Sequence, residues 1–184
     1  MKGFASGQQV RPESEAMTFC LTQKLSKKVK QFDLPRTTGY DLGSAWYGNL
    51  FRVGNVQYVL LTESLTLYSI LLLGRGIVNA ESLANAATHI IEERFRENGW
   101  IGILGKIISF DNNSATFLAA QDRSVLSSMN EIVRMIKWEI AERPDNLDSL
   151  MIWMNTLLLT KNGIMDNSES RVDQLVRSNR DQKP

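Results

Sequence analysis

The sequence predicts an α+β domain: a small, mainly antiparallel sheet, built as a meander from residue 46 to 72, covered by about three larger helices. Three observations carry this. Two strand-like runs, Trp46–Val53 and Val56–Glu63, are separated only by Gly54-Asn55. A glycine-first pair fits a tight type II′ hairpin, because glycine takes positive φ at no steric cost. A helical apolar period runs through later stretches starting near Asn79, Asp122 and Asp145. Apolar residues make up 43% of the 184, enough for one core and barely enough for two.

The elements follow in order. Residues 1–16 are polar with Pro12 and read as a disordered tail. Phe19 to Leu21 reads as a short first strand, and Thr22 as the cap of a short helix through Lys30 with Leu25 and Val29 on one face. Gln31 to Ala45, with Pro35, Gly39 and Gly43, reads as a loop. In the second hairpin run apolar residues fall on both sides: Val56, Tyr58 and Leu60 on one, Val59 and Leu61 on the other. That pattern predicts an interior strand covered on both faces. Leu65 to Leu72 reads as a third strand after a turn at Glu63-Ser64.

Asn79 caps a helix to about Glu97, with Leu83, Ala87, Ile90 and Ile91 inward and Asn98-Gly99 as its stop. Trp100 to Ile108 reads as a short helix or a packed loop, Ser109 to Ser114 as a turn, and Thr116 to Ala119 as a short edge strand. Asp122 or Ser124 caps the strongest helix, which runs to about Glu142 on a stripe of Val125, Met129, Ile132, Ile136 and Ile140. Asp145 with Asp148 resembles a capping pair for a last helix carrying Leu147, Leu150, Met151, Met154 and Leu158. The expected organisation is a single α+β domain over residues 17–161, followed by a polar, largely disordered tail over residues 162–184.

Charge and cysteine usage narrow the function classes. Basic residues number 21 and acidic residues 20, for a formal net charge of +1. No global field therefore draws in nucleic acid or acidic lipid, although Lys24, Lys27, Lys28 and Lys30 form a local basic run. The single cysteine, Cys20, makes no internal disulfide or thiolate cluster. Met1 to Ala16 contains no apolar run of the signal-peptide kind, and the stretch around Ile70 to Leu73 is too short to span a bilayer. The expectation is a cytoplasmic protein with no membrane partner.

Familiar chemistries find little to use. The single histidine, His89, has Glu92 and Glu93 on part of its helical face, which is not a zinc set. Cys20, between Phe19 and Leu21, reads as buried and inert. A Ser–His–Asp arrangement would also need His89, and no G-x-S-x-G precedes it. Neither phosphate-loop nor dinucleotide glycine pattern is present, and Gly74-Arg75-Gly76 is the nearest approach. No metal, cofactor or catalytic residue is assigned. Glu63, Asp111 and Asp122 lie near predicted strand ends, which is an argument from location alone.

Two surfaces remain. The Lys24–Lys30 face suits phosphates, and Trp46-Tyr47 beside Arg52 supplies aromatics for base stacking; the same residues also read as a solvated helix face and a core edge. Trp138 falls opposite the apolar stripe of its helix, near Arg134, and Trp153 sits with Met151 and Met154. Both tryptophans suit an interface, as well as a seam between the last two helices.

Four stretches carry a family resemblance. They are Arg123-Ser124-Val125-Leu126-Ser127-Ser128-Met129-Asn130, Cys20-Leu21-Thr22-Gln23-Lys24-Leu25, Trp46-Tyr47-Gly48-Asn49-Leu50-Phe51-Arg52-Val53 and Thr62-Glu63-Ser64-Leu65-Thr66-Leu67-Tyr68-Ser69. Together they resemble a bacterial domain-of-unknown-function family, the DUF6933 type, from about Met17 to Leu158. The sequence departs at Asn55-Val56-Gln57-Tyr58, where the family pattern has a basic pair and a cysteine. The resemblance implies no activity. It directs attention to Asn49, Arg52, Arg123, Ser124 and Asn130, either as a network joining the hairpin to a helix start or as a ligand or partner site.

The leading expectation is a non-enzymatic protein-interaction module, an accessory or antitoxin-like factor that binds another protein or itself as a homodimer. Its candidate contacts are Trp46, Asn49, Arg52, Arg123, Ser124, Asn130, Trp138 and Trp153. Two alternatives stand beside it. A hydrolase or nuclease would bring Arg52 and Arg123 onto a cleft with an acid, and a nucleic-acid-binding protein would use Lys24, Lys27, Lys28 and Lys30. Whether the protein is an enzyme stays open.

Overall fold

A five-stranded sheet in the order β4-β3-β2-β1-β5 organises the molecule. The computed structural model describes residues 17–36, 44–103, 115–142 and 146–180. The strands are β1 (Met17–Leu21), β2 (Trp46–Val53), β3 (Val56–Glu63), β4 (Ser69–Leu73) and β5 (Ala115–Ala119). The expected meander is β2, β3 and β4, all antiparallel. Gly54 turns its hairpin with φ of 54°. The other half of the sheet is parallel: β1 lies between β2 and β5 and runs with both.

The helices are α1 (Gln23–Lys28), α2 (Ala80–Glu97), α3 (Arg123–Glu142), α4 (Leu147–Asn155) and α5 (Ser168–Arg180). Strand alternation and contacts sort α1, α2 and α3 between the two faces. On one face lie Met17, Phe19, Leu21, Trp46, Gly48 and Leu61. A Cβ built on Gly48 would stand 2.6 Å from Leu25 of α1, and Thr88 of α2 touches the Met17 sulfur at 3.9 Å. That face is therefore under α1 and α2. The other carries Cys20, Tyr47, Phe51 and Leu60 and is crossed by α3, while α4 packs on β4 and α3. With both faces covered, Val59, Leu60 and Leu61 of β3 are all buried, as the sequence pattern predicts.

Caps explain the helix starts. Asn79 accepts from the Ser82 N–H at 2.8 Å, and Ser82 Oγ accepts from the Asn79 N–H at 3.1 Å, a reciprocal capping box. Asp122 Oδ1 accepts from the Ser124 N–H at 2.8 Å and the Val125 N–H at 3.2 Å, so Asp122 and not Ser124 caps α3. Thr22 precedes α1 but does not cap it; its hydroxyl donates to Asn49 Oδ1 at 3.3 Å. Asn146 caps α4, accepting from the Ser149 N–H at 2.8 Å.

Several expectations are corrected. The third strand begins at Ser69 and not Leu65, because residues 64–68 are held as a turn by Glu63. Leu158 stands exposed, since α4 ends at Asn155. Where a loose tail is expected from Asn162, a hairpin of β6 (Leu159–Lys161) and β7 (Ile164–Asp166) leads into α5. The α5 helix is sparsely apolar and is held by polar bonds. Trp100 Nε1 donates to Asp173 Oδ1 at 2.7 Å, and Arg171 donates to the carbonyls of Thr66, Leu159 and Ile164. The readings for residues 1–16, Gly39, Gly43, the Ser109–Ser114 turn, Asp111 and Asp145 lie outside the described residues.

Candidate functional site

One helix gathers most of the surface-exposed candidates. At 100° per residue, Arg123, Ser127, Asn130, Glu131, Arg134 and Trp138 fall on one stripe of α3. All six are exposed, while Val125, Met129, Ile132 and Ile136 are buried on the reverse side. Trp138 is 60% exposed, unusual for so large an apolar side chain. Beside it a depression of about 410 Å³ opens against Ser127, Asn130, Glu131 and Arg134. These four residues share one outward face, so this is a surface groove and not an enclosed ligand pocket. Arg134 and Glu131 approach only to 3.8 Å in the open. Such a pair holds neither side chain firmly and leaves both available to a partner.

The other candidates are dispersed. Trp46 is 0% exposed and Tyr47 is also buried, so neither can stack on a base; a strand between two covered strands turns its aromatics into core. Asn49 is half-buried and bonded to Thr22. Arg52 is exposed on the α1 side of the sheet, whereas Arg123 begins the helix on the other side. The structure does not bring the two arginines together, and neither has a carboxylate partner among the described residues. Ser124 is exposed at the helix start, and Trp153 is half-buried against the core. Lys24, Lys27 and Lys30 are exposed, and Lys28 Nζ donates to Gln57 Oε1 at 3.0 Å.

The reactive side chains are subdued. Burial pushes the Cys20 thiol up to about 11, the Tyr47 hydroxyl beside it lowers it less, and Asp122 adds to the rise. At neutral pH it is a thiol and not a nucleophilic thiolate. Tyr47 and Tyr68 are likewise raised, chiefly by burial. His89 is exposed on α2, and no group of three metal-ligating side chains occurs among the described residues. No helix among them is long and apolar enough to cross a membrane.

Sequence reasoning places Glu63 at a turn but not the bonds it makes there, and it misses Asn155. The fully buried Glu63 carboxylate accepts from Ser44 Oγ at 3.0 Å, the Leu65 N–H at 2.9 Å, and both the Thr66 N–H and hydroxyl at 2.7 Å. Asn155, buried at the end of α4, bonds to both backbone groups of Ser69. An acid three residues before a threonine is the one local signal for the Glu63 turn; nothing local announces Asn155.

A family model described as a domain of unknown function, DUF6933, matches residues 18–169. No curated protein matches the chain.

Proposed function

The chain belongs to the DUF6933 family, whose description names no activity, and we propose from its surface that it is a non-enzymatic protein-interaction module. Its contact surface is the outer stripe of α3, and its occupant is another protein or a second copy of the chain. The observation that carries this reading is Trp138, 60% exposed on a helix whose opposite side is wholly buried. A large rigid aromatic set among Asn130, Glu131 and Arg134 has the make-up of an interface anchor within a polar rim. The subdued Cys20 thiol and the separation of Arg52 from Arg123 support contact over catalysis as the mode of action.

The test compares the wild type with Trp138→Ala. Self-association is followed by sedimentation, and partner capture by co-purification from nuclease-treated host lysate. Loss of a dimer or of one stoichiometric partner in the variant, at unchanged thermal melting, supports the reading. An interface anchor contributes about 2 kcal/mol or more. A partner held equally by both proteins, or no association by either, overturns it.

A further inference from the structure

Between Thr22 and Arg36 the sequence places five cations and one acid, Asp33. The fold brings a sixth cation to them. Lys28 bonds to Gln57 at 3.0 Å, and Gln57 is the cross-strand partner of Arg52 on the α1 side of the sheet. With a chain net charge of only +1, this is a local concentration of positive charge and not a general property of the surface.

A second observation concerns Lys30. The Gln31 N–H donates to the Ser26 carbonyl at 2.9 Å and the Lys30 N–H to the Lys27 carbonyl at 3.3 Å. This pair of bonds ends α1 as a Schellman motif, whose residue after the cap is left-handed and usually glycine. Lys30 occupies that position with φ of 59°. A lysine held where glycine is at ease is strain retained at that point. Asp33 is also left-handed, with φ of 56°, and between the two Phe32 stands 67% exposed.

We propose that this surface binds single-stranded nucleic acid, with Lys24, Lys27, Lys28, Lys30 and Arg52 facing phosphates and Phe32 stacking on a base. Cations tracking a phosphate backbone beside a stacking ring is the common arrangement of sequence-tolerant single-strand binders. One isolated ring serves an unpaired base, whereas a bilayer surface calls for several apolar anchors. Among residues 22–36 Phe32 is the one large apolar side chain that is exposed. The surface lies across the sheet from α3, so it is separate from Trp138.

The test titrates the full chain into labelled oligo(dT) and oligo(U) of about 12 nucleotides, followed by fluorescence anisotropy across a salt series. The expected log–log salt slope is about −3.5. Lys30→Gly raises the melting temperature yet weakens binding and reduces the slope by about 0.7. Phe32→Ala weakens binding about tenfold with the slope unchanged. No anisotropy change at low salt overturns the proposal, as does wild-type binding by Lys30→Gly or a lowered melting temperature in that variant. Equal competition by polyglutamate or by phosphatidylserine vesicles also overturns it, assigning the surface to any polyanion or to a membrane.

Discussion

Asn155 completes β4 as though it were a one-residue strand: its Oδ1 accepts from the Ser69 N–H and its Nδ2 donates to the Ser69 carbonyl, both at 2.8 Å. β4 is an edge of the sheet, and Ser69 is buried there. Without Asn155 the outward backbone groups of Ser69 would be buried with no partner. The same amide donates to the Met151 carbonyl at 2.9 Å, and Ser168 Oγ donates to its Oδ1 at 2.7 Å. One side chain thus joins the sheet edge, the end of α4 and the start of α5.

Replacing Asn155 with leucine should therefore cost much more than its size suggests. A buried backbone donor and acceptor lose their partners together, at about 1–3 kcal/mol each. The expected loss is about 3 kcal/mol, read as a lower midpoint in equilibrium urea unfolding. Asn155→Asp should not rescue it, because a carboxylate cannot donate to the Ser69 and Met151 carbonyls. Recovery of wild-type stability by Asp would show that only the Ser69 N–H needs a partner.

Glu63 makes a second prediction of the same kind. Its Oε1 serves Ser44 and Leu65, and its Oε2 serves Thr66 twice. Glu63→Gln keeps the shape but turns one acceptor into a donor, which then faces donors. Bonds to a charged acceptor are worth about 1.5–3 kcal/mol, so a loss of about 2 kcal/mol is expected. Hydrogen exchange should rise first at Leu65 and Thr66. An unchanged midpoint would mean that the turn holds itself.

These two residues mark where the sequence stopped being legible. The hairpin of β2 and β3 is local, and its run lengths and Gly54-Asn55 turn declare it. Both α2 and α3 carry caps and apolar periods within one stretch of chain. The parallel pairing of β1 with β2 and β5 has no such mark, because alternation names a strand and not its neighbours. Leu65 to Leu72 looks like a continuous strand until Glu63 is seen to hold residues 64–68 as a turn. Val172 is the one fully buried apolar side chain in α5, whose anchors are Arg171 and Asp173. At the surface, Trp138 was readable because it breaks the period of α3. Trp46 allows two readings, because an aromatic at a strand start looks alike in core and at a surface, and its complete burial decides for the core.

Gly48 records how closely α1 sits on the sheet. An added Cβ would stand 2.6 Å from Leu25, 3.0 Å from Leu21 and 3.1 Å from Leu61. All three contacts are side-chain ends in a buried layer, so they shift, but into an already filled space. Gly48→Ala is expected to cost about 1–3 kcal/mol, the range for overpacking. A smaller neighbour should recover part of it, so Gly48→Ala with Leu25→Val should lose less than the sum of the single changes. Strict additivity in urea unfolding would show that the contact is relieved elsewhere.

Alkaline pH should loosen the fold through its buried neutral acids. Cys20 is raised from 9.0 to about 11, and Tyr47 and Tyr68 are raised above their ordinary 10, in each case chiefly by burial. All three pKa values are higher folded than unfolded, so the unfolded chain releases these protons first. The stability Cys20 confers is then fully present below pH 9.0 and is lost as pH rises through about 11, while that of Tyr47 and Tyr68 is present below pH 10 and is lost over a higher range than the thiol's. Urea midpoints should be level from pH 7 to 9 in this respect and fall beyond it. Cys20→Ala lowers stability at pH 7 by removing buried volume, but its further fall between pH 9 and 11 should be shallower than the wild type's. Tyr68→Phe should flatten the curve only above pH 10. Parallel curves for the wild type and Cys20→Ala would place the alkaline loss on other groups.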